Sequence, residues 1–234
     1  MENLSYWRVF LITMDRLPLG CTSIDEMLDG GIESSSMTLL YGEAGSGKTT
    51  VCLILAKEII KQGKKVVYID SEGISIDRLM QIAGEDFDLV MQNLLVFDVV
   101  NFDSQERSID KAVKMVQSDI GVGMIIVDSI TSLYRPTGKE DERSERKSLV
   151  GQSQKLSSIA REKKIPVLVT SQVYTDVETG TFESLGGNAL MHNSKSIIRF
   201  DRAGLGMRRA VLIKHRSIPE GITAQFRLTP DGIA

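Results

Sequence analysis

The chain lacks most of what would place it outside the soluble α/β class. Its 234 residues include only two cysteines, Cys21 and Cys52. That is too few for a disulfide framework or a cysteine metal cluster, and Cys52 reads as a small core residue in an apolar helix. Such usage fits a reducing compartment, and the expected location is cytoplasmic. An excess of one charge is also missing. Lys and Arg number 28 against 31 Asp and Glu, a net charge of −3, so no global basic field advertises nucleic acid and any DNA surface has to be a local patch. No apolar run approaches the ~18–20 residues of a membrane span, so no membrane partner is expected.

Residues 1–13, MENLSYWRVFLIT, hold an apolar stretch too short for a span, with no small-residue cleavage site after it. Met14-Asp15-Arg16-Leu17-Pro18 reads like a natural start. Residues 1–16 are therefore expected to be an N-terminal extension, either loose or not native before Met14, and 17–234 a single core. With 42% hydrophobic and 25% charged residues, there is enough chain for one α/β domain.

What is present centres on Gly42-Glu43-Ala44-Gly45-Ser46-Gly47-Lys48-Thr49, after the apolar run 37–41 and before a helical stretch from Thr50. Strand, glycine-rich loop and helix give the P-loop pattern in its required context. Glycines let backbone N–H groups approach phosphates, and the helix start adds the positive end of its dipole. Lys48 is expected at the β- and γ-phosphates and Thr49 on Mg²⁺. The bland alternative is a glycine-rich turn that binds nothing.

Around it, Ser23 with Glu26 reads as a capped helix start. Segments 36–41, 65–70, 94–99, 124–128 and 165–171 read as buried strands. Helices are expected over 76–83, 105–120 and 145–163, with an acidic loop after 83 and polar loops over 134–146 and 174–187. Segments 195–200, 209–214 and 223–229 read as strands without long helices between them. The pattern predicts a doubly wound, mostly parallel sheet extended by antiparallel C-terminal strands. Ligands in such sheets bind beyond the strand carboxyl ends. Four polar groups fall there: the P-loop, Glu72, Asp128 and Gln172. Asp128 fits a Mg²⁺-shell acid, Glu72 a water-activating acid and Gln172 a γ-phosphate sensor. Each has a plainer reading as a solvated or turn-capping strand-end group.

These residues resemble the RecA/RadA recombinase superfamily over about 17 to 234. The resemblance is carried by Leu19-Gly20-Cys21, Ile24-Asp25, Gly30-Gly31-Ile32 and the P-loop. It continues through Tyr68-Ile69-Asp70-Ser71-Glu72-Gly73, Val127-Asp128-Ser129-Ile130, Thr170-Ser171-Gln172-Val173 and Gly186-Gly187-Asn188 with His192. Within that superfamily the likeness is to the short archaeal paralogues of RadA, because only ~16 residues precede the core, too few for a folded DNA domain. The resemblance implies a RecA-like ATPase core with ATP and Mg²⁺ as cofactors. It implies single-stranded and also double-stranded DNA, a RadA-type recombinase and other recombination proteins as partners, and homo-oligomers. The function implied is DNA repair and recombination, with weak DNA-dependent ATP hydrolysis.

It further implies Arg78 against adenine, His192 as a coupling residue, and Lys214 and Arg216 as groups that act in trans. The implied DNA loops hold Arg135, Lys139 and Arg143 in the first and Tyr174, Gly186 and Gly187 in the second. Acids interleave with the first loop's cations, and residues 174–187 contain no Lys or Arg, so DNA binding is expected to be weak and salt-sensitive. Two other readings stand beside this one: a KaiC-like signalling ATPase, suggested by Lys214-x-Arg216, and a nucleotide-gated interaction module without significant turnover.

Overall fold

The structure is a computed structural model that describes residues 16–134, 139–175 and 182–234. The residues expected to form an N-terminal extension up to position 15, Arg135, and the acids Asp176 and Glu178 lie outside them. The side chains of Lys139, Tyr174, Phe182 and Glu183 also lie outside the described set.

A small antiparallel pair, β1 (Arg16–Leu17) and β2 (Ile32–Glu33), brackets helix α1 (Thr22–Met27). Then come β3 (Met37–Gly42), α2 (Lys48–Lys61), β4 (Lys65–Asp70), α3 (Ile76–Ala83), a 3-10 turn (Gly84–Asp86), α4 (Phe87–Asn93) and β5 (Leu94–Asp98). Next are α5 (Phe102–Gln117), β6 (Val122–Asp128), α6 (Lys139–Lys163), β7 (Val167–Ser171) and a hairpin of β8 (Val173–Thr175) and β9 (Phe182–Ser184). The chain closes with α7 (Gly187–Asn193), β10 (Ser196–Arg202), β11 (Met207–Lys214), β12 (Thr223–Thr229) and β13 (Gly232–Ile233).

Nine strands form the main sheet in the order β13-β12-β11-β10-β3-β7-β6-β4-β5. The inner strands are near-continuous apolar runs because helices cover both faces; every residue of β3 and β7 is buried. One core lies under α1 to α4, with Leu53, Leu55, Ile126 and Phe200, and the other under α5 to α7, with Val67, Val127, Ile109, Leu156 and Leu190. The Phe200 and Phe226 rings, 4.8 Å apart, tie the C-terminal strands into the first core.

The doubly wound, mostly parallel sheet expected from the pattern is present, with four differences in detail. The antiparallel extension begins at β11, since β10 pairs parallel with β3 and antiparallel with β11; α7 supplies the short helix that precedes β10. The acidic stretch after 83 is helical rather than a loop: Val90 is buried, and Lys57 and Lys61 face Asp86. Helix α6 takes in much of the polar stretch 134–146, and Arg143 and Arg146 are exposed on it. Ser23 does not cap α1. The cap position is Cys21, and the Ser23 hydroxyl donates to the Gln225 carbonyl at 2.7 Å, pinning α1 to β12.

Candidate functional site

The P-loop leaves β3 at Gly42 and enters α2 at Lys48. Gly47 caps that helix at φ +106 with no side-chain partner. The first-turn N–H groups of α2 are thereby left for a ligand, as an anion site requires. The Lys48 ammonium donates to the carbonyls of Gly42 (2.8 Å) and Glu43 (3.0 Å). Two of its three donors hold the loop's shape and the third is available to a phosphate. Ser46 is buried, and its hydroxyl has no hydrogen-bond partner among the described residues. The C-terminal strands back the loop. Arg208 donates to the Gly45 carbonyl at 3.0 Å, and a Cβ on Gly47 would come within 2.9 Å of Leu228.

Beyond the neighbouring strand ends, Asp128 closes β6 and is 1% exposed. It accepts the Tyr68 hydroxyl at 2.7 Å and the Thr170 hydroxyl at 2.5 Å. Asp70, its register neighbour on β4, faces a different set of partners. Its carboxylate accepts the backbone N–H groups of Glu72 (3.1 Å), Gly73 (2.9 Å) and Ile74 (2.7 Å) and so shapes the turn that presents Glu72. Gln172, just past β7, donates its amide to Glu72 at 3.0 Å. Burial pushes the Lys48 ammonium down from its ordinary value, while the charges of Glu72 and Asp128 oppose that shift. Lys48, Glu72, Asp128 and Gln172 thus gather at one end of four adjacent parallel strands, with Thr49 half-buried in the first turn of α2.

The other expected residues are spread more widely. Arg78 sits in the first turn of α3, and its guanidinium donates to the carbonyls of Pro230 (2.9 Å) and Gly232 (3.3 Å) in the β12–β13 turn. Gly186 caps α7 at φ +94, where a Cβ would meet Leu190 at 2.9 Å; Gly187 follows it. His192 is exposed on α7, and Lys214 donates to the Met191 carbonyl at 2.8 Å. Together with Arg146 and Asn188 these line an open concavity of about 570 Å³. Arg216 lies apart from it, paired with the buried Glu33 at 2.6 Å. Arg143 is exposed on α6.

Sequence reasoning passed over Asp70, Tyr68, Thr170 and Glu33. Asp70 had a usable signal, a strand-end acid followed by Ser-Glu-Gly, the setting of an Asx-type turn. Tyr68 and Thr170 had none, because in a buried strand a hydroxyl-bearing residue reads as core.

A RecA-like sheet carrying a P-loop, with acid and amide groups at the ends of the adjacent strands, defines a nucleotide-binding protein of the P-loop class. Within that class the chain belongs to the Rad51 family, whose model matches residues 11–234. Its relatives include proteins named DNA repair and recombination protein RadB. That of Methanococcoides burtonii is 42% identical over 221 residues, covering 94% of this chain and 97% of the relative. That of Thermoplasma acidophilum is 39% identical over 219 residues, covering 94% of each. That of Archaeoglobus fulgidus is 41% identical over 220 residues, covering 93% and 97%. A solved structure, the crystal structure of the RadB recombinase, matches with a TM-score of 0.79 at 36% identity over 93% of this chain and 98% of that one. The likeness to short archaeal RadA paralogues is borne out, and the KaiC-like alternative is disfavoured. Among the described residues no helix is long and apolar enough to cross a membrane.

Proposed function

We propose that this chain is a RadB-like ATP- and DNA-binding protein of recombinational repair, a weak DNA-dependent ATPase that assists a RadA-type recombinase. The observation that carries the reading is the hydrogen bond between Gln172 and Glu72. It links the group suited to activate water with the residue that opens the β8–β9 hairpin, and α7 with Gly186-Gly187 follows that hairpin. A change at the γ-phosphate that breaks or remakes this bond reaches the candidate DNA segment within a few residues.

The residues fit Mg²⁺·ATP. Lys48 and the α2 N-terminus suit the phosphates, while Thr49 and Asp128 offer the hard oxygen donors that Mg²⁺ takes. The unpartnered Ser46 hydroxyl at the base of the loop is consistent with a polar ligand. Bound there, Mg²⁺ would neutralise phosphate charge; Glu72 would then orient water, and Gln172 would report the γ-phosphate. Arg78, already held by two carbonyls, suits the base through its guanidinium plane. For a trans role Lys214 and Arg216 would exchange Met191 and Glu33 for a neighbour's phosphate. Arg143 and the 186–187 backbone suit DNA phosphates.

The test is ATP turnover with and without single-stranded DNA, alongside capture of a RadA-type recombinase with and without ATP. DNA-stimulated turnover and ATP-dependent capture are expected. Negligible turnover with ATP-dependent capture would replace the ATPase reading with the nucleotide-gated module.

A further inference from the structure

The Asp128 carboxylate is gripped from both flanking strands. In the sheet, β6 lies between β4 and β7. Tyr68 on β4 donates its hydroxyl to one carboxylate oxygen at 2.7 Å, and Thr170 on β7 donates to the other at 2.5 Å. Both donors are fully buried. Tyr68 lies in an aliphatic core where the ring alone would satisfy packing, and a buried hydroxyl costs stability unless it is hydrogen-bonded. Its one side-chain polar atom is committed to Asp128. The register makes the arrangement specific. Asp70 and Asp128 are side by side, but Asp70 is committed to three backbone N–H groups of its turn. Of these two acids, Asp128 is the one held by side-chain hydroxyls. A carboxylate offers about four acceptor positions, so two donors fix its plane and leave capacity on each oxygen.

We infer that Tyr68 and Thr170 are positioning residues, which hold the Asp128 carboxylate in the orientation that Mg²⁺-dependent nucleotide binding requires. The inference rests on the proposed reading of the P-loop as a Mg²⁺·ATP site. Its cause is the one that makes outer partners matter at metal sites generally: they fix ligand orientation, and their loss costs affinity without removing a ligand.

The experiment is calorimetric titration of the full chain with ATP, once in Mg²⁺ and once in EDTA. Tyr68→Phe and Thr170→Val are each expected to weaken ATP binding in Mg²⁺ by roughly tenfold and to leave binding in EDTA unchanged. Thr170→Ser, which keeps the hydroxyl, is expected to retain the wild-type Mg²⁺ response. Urea midpoints confirm that each variant is folded. Equal weakening in both media would mean the hydroxyls serve folding alone, and an unchanged Mg²⁺ response would mean Asp128 needs no such support; either overturns the inference. A wild-type chain whose ATP binding ignores Mg²⁺ defeats the underlying reading, whereas a normal wild-type response with variants that respond to Mg²⁺ just as wild type does defeats this inference alone.

Discussion

Gly42 and Gly45 both lie in the P-loop, yet the structure assigns them different reasons to be glycine. Gly42 ends β3 beside Phe200 of β10. A Cβ there would lie 2.1 Å from the Phe200 carbonyl oxygen and 3.0 Å from the Ser46 hydroxyl. Relief demands that two core strands part by more than about 1 Å, which the close-packed interior resists. Overpacking of this kind, against the backbone of a neighbouring strand, costs about 4 kcal/mol. Gly45 has φ +72, and a Cβ there would have no neighbour within 4 Å. Gly45→Ala therefore carries only the cost of a left-handed backbone, about 1 kcal/mol. At roughly 2–4 °C per kcal/mol for a chain of this size, Gly42→Ala should lose roughly 8–16 °C of melting temperature and Gly45→Ala roughly 2–4 °C. Urea midpoints without nucleotide, at unchanged m, provide the independent measure. Equal losses, or a larger loss for Gly45→Ala, would refute the claim that strand approach dictates Gly42.

Glu72→Gln puts an amide where the carboxylate was, so ATP should still bind while turnover falls roughly a hundredfold; retained turnover in a rapid-quench assay would remove Glu72 from the chemistry. The His215 side chain is tucked in beside Glu33, Arg16 and Arg216, and burial holds its pKa below the ordinary 6.5 despite the pull of Glu33. A depressed folded value means that stability is complete above 6.5 and is lost as pH falls through the folded value. Wild type should therefore lose urea resistance between about pH 7.5 and about pH 5.5 more steeply than His215→Gln, and equal slopes would contradict the assignment. Arg143→Ala should weaken single-stranded DNA binding evenly across sequences and lower the salt slope by about one; an unchanged slope in fluorescence titrations would take Arg143 off the phosphate path.

The features legible in the sequence were those that physics writes in one dimension. Inner strands buried on both faces appear as unbroken apolar runs, and the P-loop is local in sequence. Helix α4 was hidden because its acidic approach resembles a loop, and only its packing against α2 and the Lys57 and Lys61 charges near Asp86 reveal it. The start of α6 was hidden because residues 139–148 include no apolar residue, and so show no helical period before Leu149. The parallel sense of β10 depends on α7, a helix of seven residues, short enough to pass for the end of a loop.

At the site the boundary is sharper. Asp70 and Asp128 are both strand-end acids after apolar runs; the Ser-Glu-Gly after Asp70 hints at its turn, but nothing local shows what holds Asp128. Register sets them side by side, and their partners then divide them. Asp70 folds the turn that presents Glu72, while Asp128, held by two hydroxyls, keeps acceptor capacity for a ligand. The division depends on which neighbouring strand supplies Tyr68 and which supplies Thr170, so it follows from strand order, a property of the assembled sheet that no local stretch of sequence contains.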